Sequence, residues 1–333
     1  MNKAVELPIV QPMYSARHSQ GGGGAILKNN PSIRNWYLNR ILILQCNRKF
    51  LKGFTSPELD IEESSWYDNP HLIKKWYETR YLKGYINPLI RELLSDGHYV
   101  VFGGVDDYYV PGKSWYRERH FAHDGLICGY DQTEKTYSLF AYDSRWIYRV
   151  FQTTQKGWNA GREAMFRKGT YGYLCSMKPQ EEEVLLEPKT ILVKLREYLD
   201  SSLEKYPLDG TGIVSGIVVQ EYVAMYLDKL ADGSIPYERM DRRVFRWIWE
   251  HKAVMAERLE RVEQAVQMDS TISRQYGALV SQANTMRMLY AAHHMKRRDA
   301  VLPVLQKQLL TLRDEEERLL TEFVYKLGGI LQT

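Results

Sequence analysis

Residues 120–131 read HFAHDGLICGYD, and residues 137–143 read YSLFAYD. Both stretches are short and largely apolar, and the turn sequence DQTEK joins them, so the pair predicts an antiparallel hairpin. His123 stands at the start of the first predicted strand and Asp143 at the end of the second. In an antiparallel pair, such positions lie close to opposite each other. The hairpin therefore indicates both the fold class of this region and its first candidate residues for chemistry.

Further short elements surround the hairpin. The stretch NPLIRELLSDG (87–97) has proline near its start and glycine at its end, which predicts a short helix. HYVVFGG (98–104) and RWIYRVFQT (145–153) are typical of strands. A helix followed by an antiparallel meander indicates an α+β arrangement.

From about residue 187 the apolar residues take helical spacing, and this pattern continues to the end of the chain. Between residues 241 and 267, apolar side chains recur on one stripe that runs from Val244 to Val266. Two more long helical stretches follow, and two shorter ones precede it. The sequence therefore predicts an α+β domain over residues 1–180 and a helical bundle over residues 181–333.

Composition limits the classes of function. The net charge of +4 is too small to indicate nucleic-acid binding, and no nucleic-acid-binding motif is present. The first residues lack the apolar core of a signal peptide, and no apolar run reaches the roughly 20 residues of a membrane span. Three widely spaced cysteines are typical of a reduced chain. We therefore expect a cytoplasmic protein that binds neither nucleic acid nor membrane.

The two histidines of the opening stretch allow two chemical interpretations. His120 and His123 are three residues apart, but no further histidine or suitable cysteine lies near them to complete a zinc shell, so we expect no metal site. The alternative pairs His123 with Asp143, since a carboxylate beside an imidazole fixes its tautomer and stabilises the imidazolium. His123 is then a general base and Asp143 its orienting residue. A hairpin with polar ends is the interpretation without chemistry.

Residues 106–143, DDYYVPGKSWYRERHFAHDGLICGYDQTEKTYSLFAYD, resemble the core of the butirosin biosynthesis protein H-like family. The shared pattern is an acidic and aromatic strand end, a histidine, an apolar stretch, Gly-Tyr-Asp, a turn, and a strand that ends in aspartate. The resemblance extends over about residues 7–150, and RWIWEHKAVMAERL (246–259) is similar to long members found beside nonribosomal peptide clusters. It implies a papain-like, C39-peptidase-like cysteine-protease fold, followed here by the helical bundle.

The resemblance also implies a function. Better-understood members take an acyl or peptidyl chain from the thioester of a carrier protein, where phosphopantetheine holds it, and transfer it to an amine. We therefore expect an acyltransferase or amide synthase of specialised metabolism that has no cofactor of its own. Its partners are a carrier protein and a small amine or peptide. The histidine of the family corresponds to His123 and the aspartate to Asp143.

The sequence leaves the nucleophile open. The family pattern has a cysteine at the start of an N-terminal helix, where the helix dipole and the histidine lower its pKa. The matching stretch, SARHSQGGGGAIL (15–27), offers Ser19 instead, with His18 and Gln20 beside it as candidate substrate-binding residues. The glycines that follow indicate a bare backbone facing a ligand oxygen, or a flexible loop. Cys46 is the other candidate nucleophile, although its surroundings in the sequence are more typical of a small buried residue.

The stretch VDDYYVPG (105–112) supplies the last candidates. Asp107 and Tyr109 follow a predicted strand and fit the wall of an amine-binding site, or a solvated edge. Three functions follow from all these candidates: an acyltransferase, a cysteine peptidase or amidohydrolase, and a non-catalytic module that binds a carrier protein or a peptidyl product. In the third, the helical half supplies a docking surface or a homodimer face.

Overall fold

The computed structural model of the chain describes residues 3–16, 18–40, 42–53, 56–62, 69–170, 172–208, 212–297 and 300–332, with the side chains of all but residues 18–20, 31, 32 and 83. The chain forms two compact units. Unit 1 comprises Met1–Arg34 and Ser65–Glu183, and unit 2 comprises Asn35–Ser64 and Val184–Thr333.

Strands and helices both occur along the chain. The strands are β1 (Ala4–Glu6), β2 (Leu44–Asn47), β3 (Asp60–Ile61), β4 (Leu72–Glu78), β5 (Tyr99–Asp106), β6 (Ala122–Asp131), β7 (Thr136–Tyr142), β8 (Tyr148–Thr154), β9 (Tyr173–Pro179) and β10 (Ile213–Ser215). The helices are α1 (His18–Asn29), α2 (Pro31–Arg40), α3 (Thr79–Leu82), α4 (Ile86–Ser95), α5 (Gln155–Arg167), α6 (Pro188–Leu199), α7 (Val219–Ala231), α8 (Val244–Ala265), α9 (Thr271–Lys296) and α10 (Val301–Gln332). Of the helices that the structure describes, none has the length and apolar character needed to cross a membrane.

Unit 1 is an α+β unit built on an antiparallel sheet, as the sequence predicted. In its described part the strand order is β4-β9-β5-β6-β7-β8, with β1 also paired to β6. Helix α4 buries one apolar stripe, which consists of Ile86, Ile90 and Leu94. This stripe joins a core that includes Trp158 of α5 and Phe102 of β5, whose rings meet edge-on at 5.8 Å.

Helix α1 contains the four glycines for which the sequence predicted a bare or flexible backbone. That prediction is wrong, because Gly21–Gly24 lie inside the helix and are buried. A Cβ atom on Gly21 would overlap the ring of Tyr148, and Gly22 lies against Leu126 of β6. Close packing of α1 on the sheet therefore requires small residues at these positions. The packing also offsets the roughly 1 kcal/mol by which each glycine destabilises a helix.

Unit 2 contains the predicted helical region, with α8, α9 and α10 as its long helices. The apolar stripe predicted from Val244 to Val266 is buried along α8, and only Val266 itself, just past the helix end, is half-buried. The neighbouring helices bury rows of aliphatic and aromatic residues of their own, such as Leu279 in α9 and Phe323 in α10. The architecture is therefore α+β with antiparallel sheets and a C-terminal helical region.

Residues 35–64 belong to unit 2, whereas the sequence predicted them to lie in the N-terminal domain. Here β2 pairs with both β10 and β3 in a three-stranded sheet of described residues. Nε of Arg258 in α8 donates to the carbonyl oxygen of Leu38 at 2.6 Å. The ring of Phe50 meets that of Tyr226 in α7 edge-on at 5.8 Å. These contacts join positions far apart in sequence, so local patterns do not reveal them.

A buried carboxylate connects the helices of unit 2. Glu316 of α10 is fully buried, and its Oε2 accepts hydrogen bonds from Nζ of Lys252 in α8 and Nε2 of Gln220 in α7. Its two oxygens also accept from the hydroxyl groups of Tyr198 in α6 and Tyr276 in α9. A charge is tolerated in an interior only when it is paired and hydrogen-bonded, which this network achieves. Five helices therefore contribute a side chain to one ionic cluster.

The variant Glu316→Ala should lower the free energy of unfolding by about 3–5 kcal/mol, because it leaves Lys252 buried without its anion. The double variant Lys252→Met/Glu316→Leu removes both charges and should recover part of that loss. Urea denaturation followed by far-ultraviolet circular dichroism measures both. Equal losses in the single and double variants would contradict this account of the network.

Candidate functional site

A bulge in β5 sets the backbone geometry of the candidate site. The pairing of β5 with β6 shifts between Phe102 and Val105. Gly104 within this shift has φ +73°, a conformation that favours glycine. After the shift, Val105 pairs with His123, and β5 ends one residue later. The residues that follow β5 are therefore brought beside the start of β6.

His123 forms a pair with Asp107, which follows β5 directly. Nδ1 of His123 lies 2.8 Å from Oδ2 of Asp107. The Asp107 side chain is buried, whereas that of His123 keeps 19% of its surface exposed. An ionised carboxylate accepts the Nδ1 proton, which fixes the imidazole tautomer and stabilises the imidazolium. The pair therefore has the geometry of a general base and its orienting acid.

Lys113 completes a charge cluster behind this pair. Its Nζ lies 3.3 Å from Oδ1 of Asp107 and donates to the carbonyl oxygen of Asp124 at 3.4 Å. Burial lowers the pKa of Lys113, and the Asp107 carboxylate opposes that shift. One oxygen of Asp107 thus faces Lys113 and the other faces His123. This arrangement compensates the negative charge in the interior.

Asp124 is a site residue that sequence reasoning missed. Burial raises the pKa of Asp124, against the opposing effects of His123 and Lys113. Two residues later, Leu126 lies against Gly22 of α1. Side chains two apart in a strand share a face, so Asp124 lies on the sheet face that carries α1. The signal for it was an acidic residue near the start of an apolar strand.

A second histidine–aspartate pair lies beside the first. Nδ1 of His120 lies 2.8 Å from Oδ2 of Asp106, whose other oxygen accepts the backbone N–H of Phe121 at 3.1 Å. The His120 side chain is 51% exposed, and its ring stacks on Tyr108 at 4.3 Å. Each of the two histidines therefore pairs with one of two adjacent aspartates.

The described part of the chain holds no group of three or more His, Cys, Asp or Glu side chains suited to a metal ion.

Asp143, the predicted partner of His123, has other partners, and this part of the prediction is corrected. Its Oδ1 accepts the backbone N–H groups of Arg145 at 2.8 Å and Ile147 at 3.0 Å. Its Oδ2 accepts Nε–H of Arg149 at 2.5 Å. The physical reason is that β7 ends one residue earlier, so Asp143 enters the turn to β8 instead of continuing the strand. Its side chain holds that turn together.

Asp107 and Tyr109, both predicted to line a substrate wall, take different places. Asp107 is buried, and its side chain contacts the imidazole of His123 instead of lining an open wall. The Tyr109 ring lies 5.8 Å from that of His120 and 5.1 Å from that of Tyr108. Tyr109 therefore belongs with the more exposed histidine. In the sequence, two adjacent aspartates followed by two histidines three residues apart were the signal for the two histidine–aspartate pairs.

All three cysteines of the chain are buried. Cys46 lies in β2 of unit 2, where burial raises its pKa. Cys128 donates to the carbonyl oxygen of Ser138 at 3.5 Å, and burial raises its pKa too. Burial also raises the pKa of Cys175, to about 11. Because the thiolate is the attacking form of cysteine, these surroundings do not support Cys46 as the nucleophile.

The serine candidate lies in the first turn of α1. The backbone of His18, Ser19 and Gln20 belongs to this helix, but their side chains lie outside the described residues. The N–H groups of a first helical turn have no partner within the helix and carry the positive end of its dipole. The hydroxyl of Tyr142 donates to the carbonyl oxygen of Ser15 at 2.7 Å. The segment before α1 is thereby held at the end of β7.

Two comparisons with known proteins leave the family of the chain open. No protein-family model matches the chain, and no curated protein matches it. The function of the chain is therefore inferred from the side chains of the site.

The variant Asp143→Asn should destabilise the protein by about 1–3 kcal/mol at neutral pH, because it removes a charged acceptor of three hydrogen bonds. Burial acts to raise the pKa of Asp143, but the hydrogen bonds from Ile147, Arg149 and Arg145 lower it overall. The unfolded chain therefore binds more protons than the folded one as the pH falls through the ordinary aspartate range near about 3.9. The stabilisation is present above that range and is lost as the pH falls through the folded pKa.

Thermal denaturation at a series of pH values measures this effect. The difference between wild type and Asp143→Asn should shrink in acid. A difference that stays constant from neutral pH to the acid limit would contradict the assigned role of Asp143.

Proposed function

We propose that the chain is an acyltransferase or amide synthase, which moves an acyl or peptidyl group from a carrier-protein thioester to an amine in the cytosol. The observation that carries this proposal is the pair of His123 and Asp107 at 2.8 Å, with Lys113 behind the carboxylate. The resemblance of residues 106–143 to the butirosin biosynthesis protein H-like family supports the substrate class and a papain-like fold for unit 1.

His123 acts as the general base in this proposal. Since Asp107 holds Nδ1, Nε2 is the nitrogen that takes up a proton. The amine nitrogen attacks the thioester carbonyl carbon, the C–N bond forms, and the proton of the amine passes to His123. The C–S bond then breaks, and the imidazolium returns the proton to the leaving thiolate. Phosphopantetheine arrives with the carrier protein as part of the substrate.

The burial of the three cysteines favours a route without a cysteine nucleophile. A thioester is already activated, so an amine that is held in place and deprotonated can attack it directly. Ser19 offers a second route, in which its hydroxyl oxygen first takes the acyl group as an ester and the amine then displaces it. The direct route uses His123 as its base. Val105, which pairs with His123, packs against Gly161 of α5, so His123 lies on the sheet face opposite α1 and the Ser19 route would need a different base. Only that second route leaves acyl mass on the protein.

The same burial bears on the two other functions. A cysteine peptidase or amidohydrolase needs an accessible thiolate near its histidine, which the buried Cys46, Cys128 and Cys175 do not offer. A non-catalytic module needs no nucleophile, so the burial of all three thiols favours it as the second candidate. It would bind a carrier protein or a peptidyl product, with unit 2 as a docking surface or homodimer face.

The variant His123→Ala should lower the rate of acyl transfer about 10²–10⁴-fold, which is the usual contribution of a general base. The assay follows amide formation from an acyl-phosphopantetheine thioester and a primary alkylamine. His120→Ala is the matched control, because it removes a histidine that has the same 2.8 Å contact with an aspartate but is more exposed. An equal loss in both variants, or no loss in His123→Ala, would contradict the proposal.

Intact-mass measurement with an acyl-loaded carrier protein as the donor separates the routes. Acyl mass on the wild-type protein that disappears in Ser19→Ala supports the covalent route. Loss of acyl from a loaded carrier protein only when the amine is present supports direct transfer. Retention of acyl on the carrier in every reaction supports the binding module and rejects the enzyme.

A further inference from the structure

Unit 1 contains a cavity whose lining includes none of the residues of the His123 pair. Its volume is about 390 Å³, and α3, the first turn of α4 and one side of α5 form its walls. Thr79, Asn87, Asn159, Arg162 and Phe166 are among the lining residues. Cavities that hold small ligands usually fall between about 300 and 1,000 Å³ and are lined by apolar side chains with a few polar groups. This cavity fits the criterion of size, and its lining is richer in polar and charged side chains than most, with Ile86 and Phe166 as its larger apolar residues.

Arg162 of α5 is the unusual residue of this cavity. Its side chain is only 11% exposed, and its Nε is buried with no hydrogen-bond acceptor among the described residues. The one ion pair that the described residues give it is with Glu163, where Nη2 and Oε1 are 3.5 Å apart. Burial lowers the pKa of Arg162, which reflects the cost of holding this cation away from water. A guanidinium in such surroundings normally binds a carboxylate or phosphate in a bidentate manner.

Asn159 also lines this cavity, and its side chain holds a second buried polar atom. Its Oδ1 has no hydrogen-bond donor among the described residues. Asn159 and Arg162 are three residues apart on α5, so their side chains lie on the same side of the helix. One atom is a donor and the other an acceptor, and both are buried. A ligand that pairs with both therefore carries an anionic group and a hydroxyl or N–H group.

The charges around the cavity also favour an anion. Three arginines, Arg80, Arg162 and Arg167, line it together with a single acid, Glu163. Arg80 forms an ion pair with Glu78 at 2.6 Å, whereas Arg167 lies exposed at the rim. The lining alone thus carries a formal charge of +2, from three arginines and one glutamate. Positive charge at the rim raises the local concentration of anions.

We infer that this cavity is a binding site for a small ligand that carries a phosphate or carboxylate group together with a hydroxyl or N–H group. Arg162 holds the anionic group, and Asn159 accepts the hydrogen bond from the neighbouring donor. The site is separate from the proposed acyl-transfer site and does not depend on that function. Phosphate and carboxylate ligands share this recognition chemistry, and the choice between them is an outcome of the test.

The test measures binding to the full-length protein by calorimetry and by thermal denaturation. Glycerol 3-phosphate is the phosphate probe, malate is the carboxylate probe, and glycerol at matched ionic strength is the control without an anion. We expect one of the two anions to bind and to raise the melting temperature with increasing concentration, as a ligand of the folded state does. Glycerol should have no such effect.

Two arginine variants make the test specific. Arg162→Met should weaken binding of the active probe by about tenfold or more, whereas Arg167→Met at the rim should weaken it much less. Without ligand, Arg162→Met should melt at the same temperature as wild type or higher, because it removes a buried and poorly paired cation. If Arg162 instead stabilised the fold, its replacement by methionine would lower the melting temperature.

Three outcomes would overturn the inference. Absence of binding by both anions at millimolar concentration is one such outcome, and equal binding to wild type and Arg162→Met is another. A clear loss of stability in Arg162→Met without ligand would show that the guanidinium serves the fold. Preference for glycerol 3-phosphate over malate identifies the anion as a phosphate, and the reverse preference identifies it as a carboxylate.

Discussion

The buried carboxylate of Asp107 is the contact on which the candidate site depends. Its two oxygens face Nδ1 of His123 at 2.8 Å and Nζ of Lys113 at 3.3 Å. A carboxylate without such partners would not stay ionised in the interior, since the cost of desolvating a charge is large. The pairing with Lys113 thus allows Asp107 to orient a histidine that remains partly exposed. The site combines a protected acid with an accessible base.

Unit 2 uses the same physical solution for another purpose. Glu316 accepts hydrogen bonds from side chains of four other helices. One of these side chains, Lys252, supplies the compensating positive charge. Nothing in this network is exposed, so it serves the packing of the helices. Asp107 differs because one of its partners, His123, keeps part of its surface accessible. The difference in exposure is what separates a structural ion pair from a candidate catalytic one.

Local sequence patterns predicted much of the fold but only part of the candidate site. The hairpin of β6 and β7 and the buried stripe of α8 were predictable because alternation and helical periodicity extend over many residues. Asp107 was missed as the partner of His123, since the bulge at Gly104 and the end of β7 before Asp143 decide which acid reaches the ring. Such details depend on the pairing of strands and are not encoded in the spacing of the residues.

The same limit explains why the residue pattern alone did not indicate two of the helices. Helix α1 contains four glycines, and only its close approach to the sheet makes them suitable for a helix. Helix α5 is capped by Thr154, whose Oγ1 accepts the N–H of Gly157, and it is anchored by the buried Trp158. Tertiary packing overrides a weak helical propensity in both cases.

The most direct test of the central claim is isotope-edited NMR of the His123 side chain. In the wild type, Nδ1 should carry a proton that exchanges slowly with water, because it is hydrogen-bonded to the buried Asp107 carboxylate. That signal should disappear in a folded Asp107→Asn protein and persist in Asp143→Asn. A signal that survives the Asp107 substitution, or that is lost with Asp143, would contradict the account.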